Sequence, residues 1–144
     1  MKYSVSIEID RPIAQVIAAF DNPENLSKWM QGLQSIEHIS GIPGQLGAKS
    51  KIKFKTGSRE IEMIETITNR NLPHESASTY EAKDVFNIVI NKFEKITDNK
   101  TRHITEQEFQ LKGMMKLIGW LMPAAFKKQS LKHLTDFINF VESN

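Results

Sequence analysis

Histidine is the side chain most often used as a metal ligand or acid–base group, and this chain has four: His38, His74, His103 and His133. They lie far apart, and none forms the H-x-x-x-H or H-x-x-E-H spacing that brings two ligands onto one helix face. The chain has no cysteine, which excludes disulfides, thiolate chemistry and zinc–thiolate sites. We therefore predict no metal site and no cofactor.

Glu65 is the carboxylate whose position stands out. Ile61, Met63 and Ile67 share one side of a predicted strand, and Glu65 interrupts them on that side. A buried carboxyl there would have a raised pKa and could act as an acid or a base. The alternative is that a twist or bulge, indicated by Ile64, turns Glu65 outward into solvent.

Two further patterns favour structural rather than chemical roles. Lysines at 49, 51, 53 and 55 could form a basic stripe for nucleic acid or anionic lipid, but they alternate with apolar residues as the solvent face of a strand does. Glu60 and Glu62 are expected to face them across a hairpin. Glycines at 41, 44 and 47 precede a strand, not the helix N-terminus that a phosphate cradle needs, and therefore indicate a turn.

The elements that must position these residues can be predicted from periodicity. Residues 3–9 alternate as a strand, and two short helices follow, with Asp10 and then Asp21 or Asn22 as caps and Pro12 and Pro23 in the first turns. Six strands joined by short turns then indicate an antiparallel meander. In the fifth of these, Phe86, Ile88 and Ile90 share one parity, and Phe93 falls on the other, which suggests a bulge near Asn91.

The last 30 or so residues predict a helix in two halves. After Pro123 one apolar stripe is clear, whereas before it the best stripe is Met114, Leu117, Ile118 and Leu121. The two stripes do not continue each other in a straight helix, so we expect a kink at Pro123. Trp120 and Met122 lie outside the first stripe and need another partner or remain exposed.

Length and composition limit the class of protein. The 144 residues fit one α+β domain, 1–144, with 40% hydrophobic and 25% charged residues. The net charge of +2 is too small to indicate nucleic-acid binding. The N-terminus alternates charged and apolar residues and lacks the apolar core of a signal peptide, and no run reaches the ~18 apolar residues of a membrane span, so we predict a cytoplasmic location and no transmembrane segment.

Several motifs together resemble the START-like (SRPBCC) superfamily of polyketide cyclases/dehydrases, lipid-transfer proteins and pollen allergens. They are D-x-P-E-N-L-x-K-W-M at 21–30, G-x-x-G-x-x-G at 41–47, Thr101 opening the last strand, and a proline-containing final helix ending in FINFVES. The resemblance spans nearly the whole chain. It implies a helix-grip fold, in which a curved antiparallel sheet of about seven strands, in the order β-α-α-β6-α, wraps around a long, proline-kinked C-terminal helix.

The resemblance also implies a ligand cavity between the sheet and that helix. Trp29 and Met30 would close one end of it. Met114, Ile118, Leu121 and Ala125 would form its lid, and inward strand positions would line it: Ile52, Phe54, Ile61, Met63, Tyr80, His103 and Thr105. The alternative is that these side chains simply fill a core.

Three functions stay open at this point. The first is binding or transport of a small hydrophobic ligand, such as a lipid or an aromatic, polyketide-like metabolite, with Tyr80, His103 and Thr105 orienting its polar end. The second is a cyclase- or dehydratase-type enzyme with Glu65, Tyr80 or His103 as acid or base. The third is an interaction module that uses the apolar 113–126 segment, with Trp120 in a homodimer interface or docked on a membrane.

Overall fold

The computed structural model describes all residues 1–144 and contains seven strands and four α-helices. The strands are β1 (Lys2–Ile9), β2 (Leu33–Ser40), β3 (Lys49–Thr56), β4 (Arg59–Asn71), β5 (Glu75–Ala82), β6 (Val85–Thr97) and β7 (Lys100–Leu111). The helices are α1 (Ile13–Phe20), α2 (Leu26–Trp29), α3 (Gly113–Leu121) and α4 (Pro123–Glu142). This element order confirms the predicted α+β arrangement.

All seven strands form one antiparallel sheet in the order β1-β7-β6-β5-β4-β3-β2. The six strands β2 to β7 are therefore the predicted meander, and β1 closes the series by pairing with β7. The alternation predicted for β1 is confirmed: Val5 and Ile9 are buried, whereas Ser4, Ser6 and Glu8 are exposed.

The caps of the first two helices differ from each other. Asn22 accepts a hydrogen bond from the Glu24 backbone N–H at 3.1 Å, and Pro23 follows it, as predicted for the start of this helical segment. Asp10, in contrast, does not cap α1, which begins at Ile13 after Pro12. The Asp10 N–H donates to the Glu142 side chain instead, so this turn is tied to the end of α4.

The β2–β4 region confirms the structural interpretation of its lysines and glycines. Lys53 and Lys55 lie opposite Glu62 and Glu60 on the outer face of the sheet, and Lys51 pairs with Glu62 at 3.6 Å. The three glycines of the β2–β3 connection have positive φ, which is the backbone conformation that glycine adopts without steric cost.

The bulge predicted near Asn91 in β6 is wrong. Phe93 pairs with His103 and lies on the inner face of the sheet, whereas Phe86, Ile88 and Ile90 lie on the outer face. The pairing of β6 is continuous through Asn91, and its irregularity lies between Lys95 and Thr97. Phe93 and the isoleucines have opposite parities because they lie on opposite faces of a strand that pairs regularly there.

The C-terminal helix is interrupted where a kink was predicted. α3 ends at Leu121, Met122 has φ −132° and ψ 53°, and α4 begins at Pro123. Proline suits the first position of a helix because its missing N–H would have no partner there. The two halves can therefore lie against different parts of the molecule.

The hydrophobic core lies at one side of the sheet. Its central cluster joins β1, α1, β6 and α4 through Ile9, Val16, Phe93, Phe137, Ile138 and Val141. No residue of β2, β3, β4 or β5 belongs to this cluster or to the partly buried side chains packed on it. Among the strands, α4 packs chiefly against β1. The inner face of β3 to β5 therefore lies outside this cluster, although Ile52 of β3 is itself buried.

No helix of the chain combines the length and the hydropathy that crossing a bilayer requires.

Candidate functional site

The strand register places one row of side chains across the inner face of the sheet. From β3 to β7 this row is Ser50, Glu65, Tyr80, Asn87 and Phe109, each opposite the next. We call the inner face the surface formed by Ser50, Ile52, Phe54, Ile61, Met63, Glu65, Ile67, Ser78, Tyr80, Asn87, Val89 and Asn91. Most of these side chains are only partly buried.

The Glu65–Tyr80 pair lies near the centre of the inner face. The Tyr80 hydroxyl donates a hydrogen bond of 2.8 Å to Glu65 Oε2. The bulge in β4 lies between Ile67 and Asn69, beyond Glu65, and does not turn this carboxylate outward. The structure therefore places Glu65 inward, the first of the two orientations considered from the sequence.

Burial dominates the electrostatics of this pair. It raises the pKa of Glu65 above its usual value, and the hydrogen bond from Tyr80 offsets only part of that effect. Burial raises the pKa of Tyr80 well above its usual value, and the charge of Glu65 adds to it. No lysine or arginine forms an ion pair with Glu65, and Tyr80 supplies its one side-chain hydrogen bond. The carboxyl thus keeps acceptor capacity in a poorly hydrated place.

A second polar chain crosses β6 and β7 beside this pair. Asn87 Nδ2 donates to Gln107 Oε1 at 3.0 Å, and Gln107 Nε2 donates to Thr105 Oγ1 at 3.1 Å. The sequence analysis named Thr105 but missed Asn87 and Gln107. The signal that could have found Asn87 is Phe93, since Phe93 and Asn87 have the same strand parity.

His103 lies inside the core rather than on the open part of the inner face. Its ring is 3% exposed, stacks on Phe93 at 4.5 Å, and meets Phe20 and Phe137 edge-on. Nε2 is 2.8 Å from Asn91 Oδ1, and buried Nδ1 has no partner. Burial lowers the pKa of His103 to about 3, so the imidazole is neutral near pH 7.

The remaining residues predicted for a ligand site fall into three groups. Ile52, Phe54, Ile61 and Met63 lie on the inner face, on the same side as Glu65. Trp29 packs edge-on against Phe137 at 5.2 Å, next to partly buried Met30 at the end of α2. The third group, predicted to cover the space beneath α3 and α4, is exposed instead: Met114, Ile118, Leu121 and Ala125.

The exposure of this third group has a clear cause. α3 rests on the rest of the molecule through Gly119, which is its one buried residue, and through partly buried Met115 one turn earlier. A Cβ atom at Gly119 would overlap Leu111 Cδ1, so the helix lies close to the end of β7 there. The predicted stripe lies on other sides of the helix. The sequence alone does not show that α3 packs against β7 through Gly119.

The total accessible surface is larger than that of a typical compact monomer. It measures 8804 Å² for a 16.5 kDa chain, whereas a folded monomer of this mass exposes about 7,600 Å². Two open depressions of about 270 and 340 Å³ lie elsewhere, where α1 and α2 meet the end of α4. Neither is lined by Glu65 or Tyr80, and their linings hold no convergent polar pair of this kind.

A curved antiparallel sheet that holds a long C-terminal helix on its inner face defines the helix-grip class of proteins. The chain belongs to the polyketide cyclase/dehydrase and lipid transport family, whose model matches residues 1–136. No curated relative matches the sequence.

Solved structures share this fold at low sequence identity. The Zhui aromatase/cyclase from Streptomyces sp. R1128 superposes with a TM-score of 0.82 at 9% identity, covering 99% of this chain and 93% of that one. Ara h 8.0201 gives 0.79 at 17% identity, covering 100% and 99%. Norcoclaurine synthase from Thalictrum flavum, in complex with dopamine and hydroxybenzaldehyde, gives 0.76 at 12% identity, covering 100% and 87%. At these identities the likeness establishes the fold.

Proposed function

We propose that this protein binds a small, largely apolar ligand between the inner face and α4, with the Glu65–Tyr80 pair holding the ligand's polar end. The observation that carries the proposal is the pair itself: a carboxyl and a phenol joined at 2.8 Å, partly accessible, and without a neighbouring cation. Apolar Ile52, Phe54 and Met63 lie beside it on the same face. An apolar lining with a few convergent polar groups is typical of small-molecule sites.

The chemistry of the pair favours a ligand that donates hydrogen bonds. The Tyr80 proton is already used on Glu65 Oε2, so Glu65 Oε1 and the lone pairs of Tyr80 remain as acceptors. An amine or hydroxyl group satisfies them, and a cationic amine also stabilises the charged form of Glu65. A carboxylate ligand would place two negative charges together and bind more weakly.

Two comparisons support this class of ligand. The family is described by polyketide cyclisation, dehydration and lipid transport, and lipids are largely apolar molecules. The norcoclaurine synthase with the same fold was solved with two small aromatic compounds.

Acid–base catalysis of the cyclase or dehydratase type is the second candidate, and the raised pKa of Glu65 favours it. A carboxyl whose pKa is raised by burial can exchange protons nearer neutral pH than an exposed one. His103 does not strengthen this candidate, because its low pKa and its aromatic surroundings keep it neutral and enclosed. If Glu65→Gln binds a substrate normally but does not turn it over, the enzyme candidate is favoured over binding alone.

Calorimetric titration with three ligands that share one apolar body tests the binding proposal. We suggest 1-naphthylmethylamine, 1-naphthalenemethanol and 1-naphthoate. The wild type is expected to bind the amine about tenfold more tightly than the carboxylate, because a charge-assisted hydrogen bond contributes more than about 1.5 kcal/mol. Glu65→Gln should abolish this preference, since it keeps an acceptor for Tyr80 but carries no charge.

Glu62→Gln is the matched control. Glu62 lies on the same strand, but on the outer face, where it pairs with Lys51. It should retain the wild-type preference. If none of the three ligands binds to the wild type, the proposed function is wrong. If they bind with equal affinity in the wild type and in Glu65→Gln, the groove binds ligands but Glu65 is not the anchor.

A further inference from the structure

α3 is attached to the molecule along one side only. Gly119 faces Leu111 at the end of β7, Met115 one turn earlier is partly buried, and the Lys112 N–H donates to the Asp84 carbonyl at 2.9 Å where the helix begins. The break at Met122 separates α3 from α4, so the two do not pack on the molecule as one continuous helix. The remaining sides of α3 stay uncovered. α3 thus packs on the molecule through Gly119, and its larger side chains point outward.

The outward sides of α3 are strongly apolar. The exposed fractions are 78% for Trp120, 70% for Met114, 61% for Leu121, 57% for Met122 and 46% for Leu117. Five adjacent large apolar side chains at this exposure are not ordinary surface composition. They form a contiguous patch, which we call the α3 patch, and such patches mark interaction surfaces.

Lysines without partners surround the α3 patch. Lys112 immediately precedes α3 and Lys116 lies on it. Lys127 and Lys128 follow in the first turns of α4, and none of the four forms an ion pair. The sequence has no aspartate or glutamate from 112 to 135. Asp84, in the β5–β6 turn, lies beside Gly113 at the start of α3, with its carboxylate 3.4 Å from the position that a Gly113 Cβ would occupy. The patch is therefore apolar at its centre and positive at its margin.

We propose that the α3 patch docks reversibly on the surface of an anionic phospholipid bilayer. Trp120, Met114 and Leu121 would enter the boundary between headgroups and acyl chains, while the lysines reach the lipid phosphates. α3 is too short to cross a bilayer, so it lies in the interface plane. The combination of exposed tryptophan, apolar side chains and flanking lysines is typical of interfacial helices.

The same charges argue against a second copy of this chain as the occupant. A two-fold dimer through the α3 patch would bring the lysines of both copies together around its apolar centre, with no carboxylates from 112 to 135 to neutralise them. An anionic lipid surface supplies the opposite charge. The inference does not depend on the ligand of the inner face.

Vesicle co-sedimentation tests the proposal directly. The wild type is expected to sediment with vesicles of one part phosphatidylserine and two parts phosphatidylcholine, but not with phosphatidylcholine alone, and to be released as salt rises. Tryptophan fluorescence should shift to the blue on binding. The double variant Trp120→Ala/Leu121→Ala should bind at least about tenfold more weakly and lose the shift. Lys112→Gln/Lys116→Gln should also bind more weakly, by about fivefold or more.

Ile42→Ala/Leu46→Ala is the matched control, because both side chains are highly exposed but lie in the β2–β3 connection. This variant should bind vesicles as the wild type does. Light scattering on the same samples reports the oligomeric state. Absence of binding to phosphatidylserine vesicles at low salt would overturn the proposal. A dimer that dissociates in the Trp120→Ala/Leu121→Ala variant, without vesicle binding by the wild type, would assign the patch to a second copy instead.

Discussion

His103 shows how burial alone can change what a residue does. The side chain was a sequence candidate for acid–base chemistry, but its surroundings are Phe20, Phe93 and Phe137. A neutral imidazole costs less to bury than a charged one, so folding suppresses protonation of His103. The residue therefore contributes to the pH dependence of stability rather than to chemistry near pH 7.

This gives a signed prediction for acid unfolding. Between pH 6.5 and about 3 the unfolded chain binds a proton at His103 and the folded chain does not, so stability falls as the pH falls through this window. The contribution is about 1.4 kcal/mol for each pH unit. His103→Gln can still hydrogen-bond to Asn91 but cannot be protonated. Urea unfolding at several pH values should show a shallower acid slope for this variant, and an unchanged slope would contradict the assignment.

Glu65 is expected to show the opposite sign. Its folded pKa is raised, so the folded chain binds a proton that the unfolded chain has already lost, and stability falls as the pH rises above about 4.5. The stability gained by Glu65→Gln over the wild type should therefore be larger at pH 7 than at pH 4. The same unfolding series measures it. A difference that does not vary with pH would show that Glu65 is well hydrated in the folded protein.

At the scale of elements, one turn depends on the absence of a side chain. Gly32 joins α2 to β2 with φ +86°, accepts a hydrogen bond from the Lys55 N–H at 2.8 Å, and has the Lys55 carbonyl 2.5 Å from the position of a Cβ. Gly44 has a similar φ of +78° but nothing within 4 Å. Both positions strain an alanine, but only Gly32→Ala must also displace the backbone of β3.

Gly32→Ala should therefore destabilise the protein by more than Gly44→Ala. The left-handed backbone alone costs roughly 1–2 kcal/mol, and the clash with β3 adds to it at Gly32. The free energies of unfolding in urea compare the two variants directly. Equal losses would mean that β3 moves away without cost.

The elements also show what the sequence could predict. The order and number of strands followed from the turn residues and from the alternation of apolar and polar residues. The break at Pro123 followed from the two apolar stripes of the last helix, which do not continue each other. The course of β6 did not follow, because the two parities of its apolar residues indicated a bulge near Asn91, whereas the strand pairs continuously there and simply carries apolar side chains on both faces. The orientation of α3 did not follow from the sequence either. Leu111 and Met1 leave no room for a side chain beneath α3, so the helix packs there through Gly119.

At the scale of the whole molecule, the packing is unequal across the sheet. The core cluster joins β1, α1, β6 and α4, while Glu65, Tyr80 and their apolar neighbours on β3 to β5 receive none of it. Sequence periodicity identified Ile52, Phe54 and Met63 as inward residues, but it could not show whether a helix fills the space above them. That depends on the path of α4, which lies nearest to β1.

The most direct test of ligand binding at the inner face is methyl NMR during titration with 1-naphthylmethylamine. The sheet provides its own control, since isoleucine methyl groups lie on both faces. We expect the inner Ile52, Met63 and Ile67 signals to shift, and the outer Ile64, Ile88 and Ile90 signals to stay in place. Shifts confined to the outer isoleucines or to Met114 and Met122, with the inner signals unchanged, would contradict the proposed site.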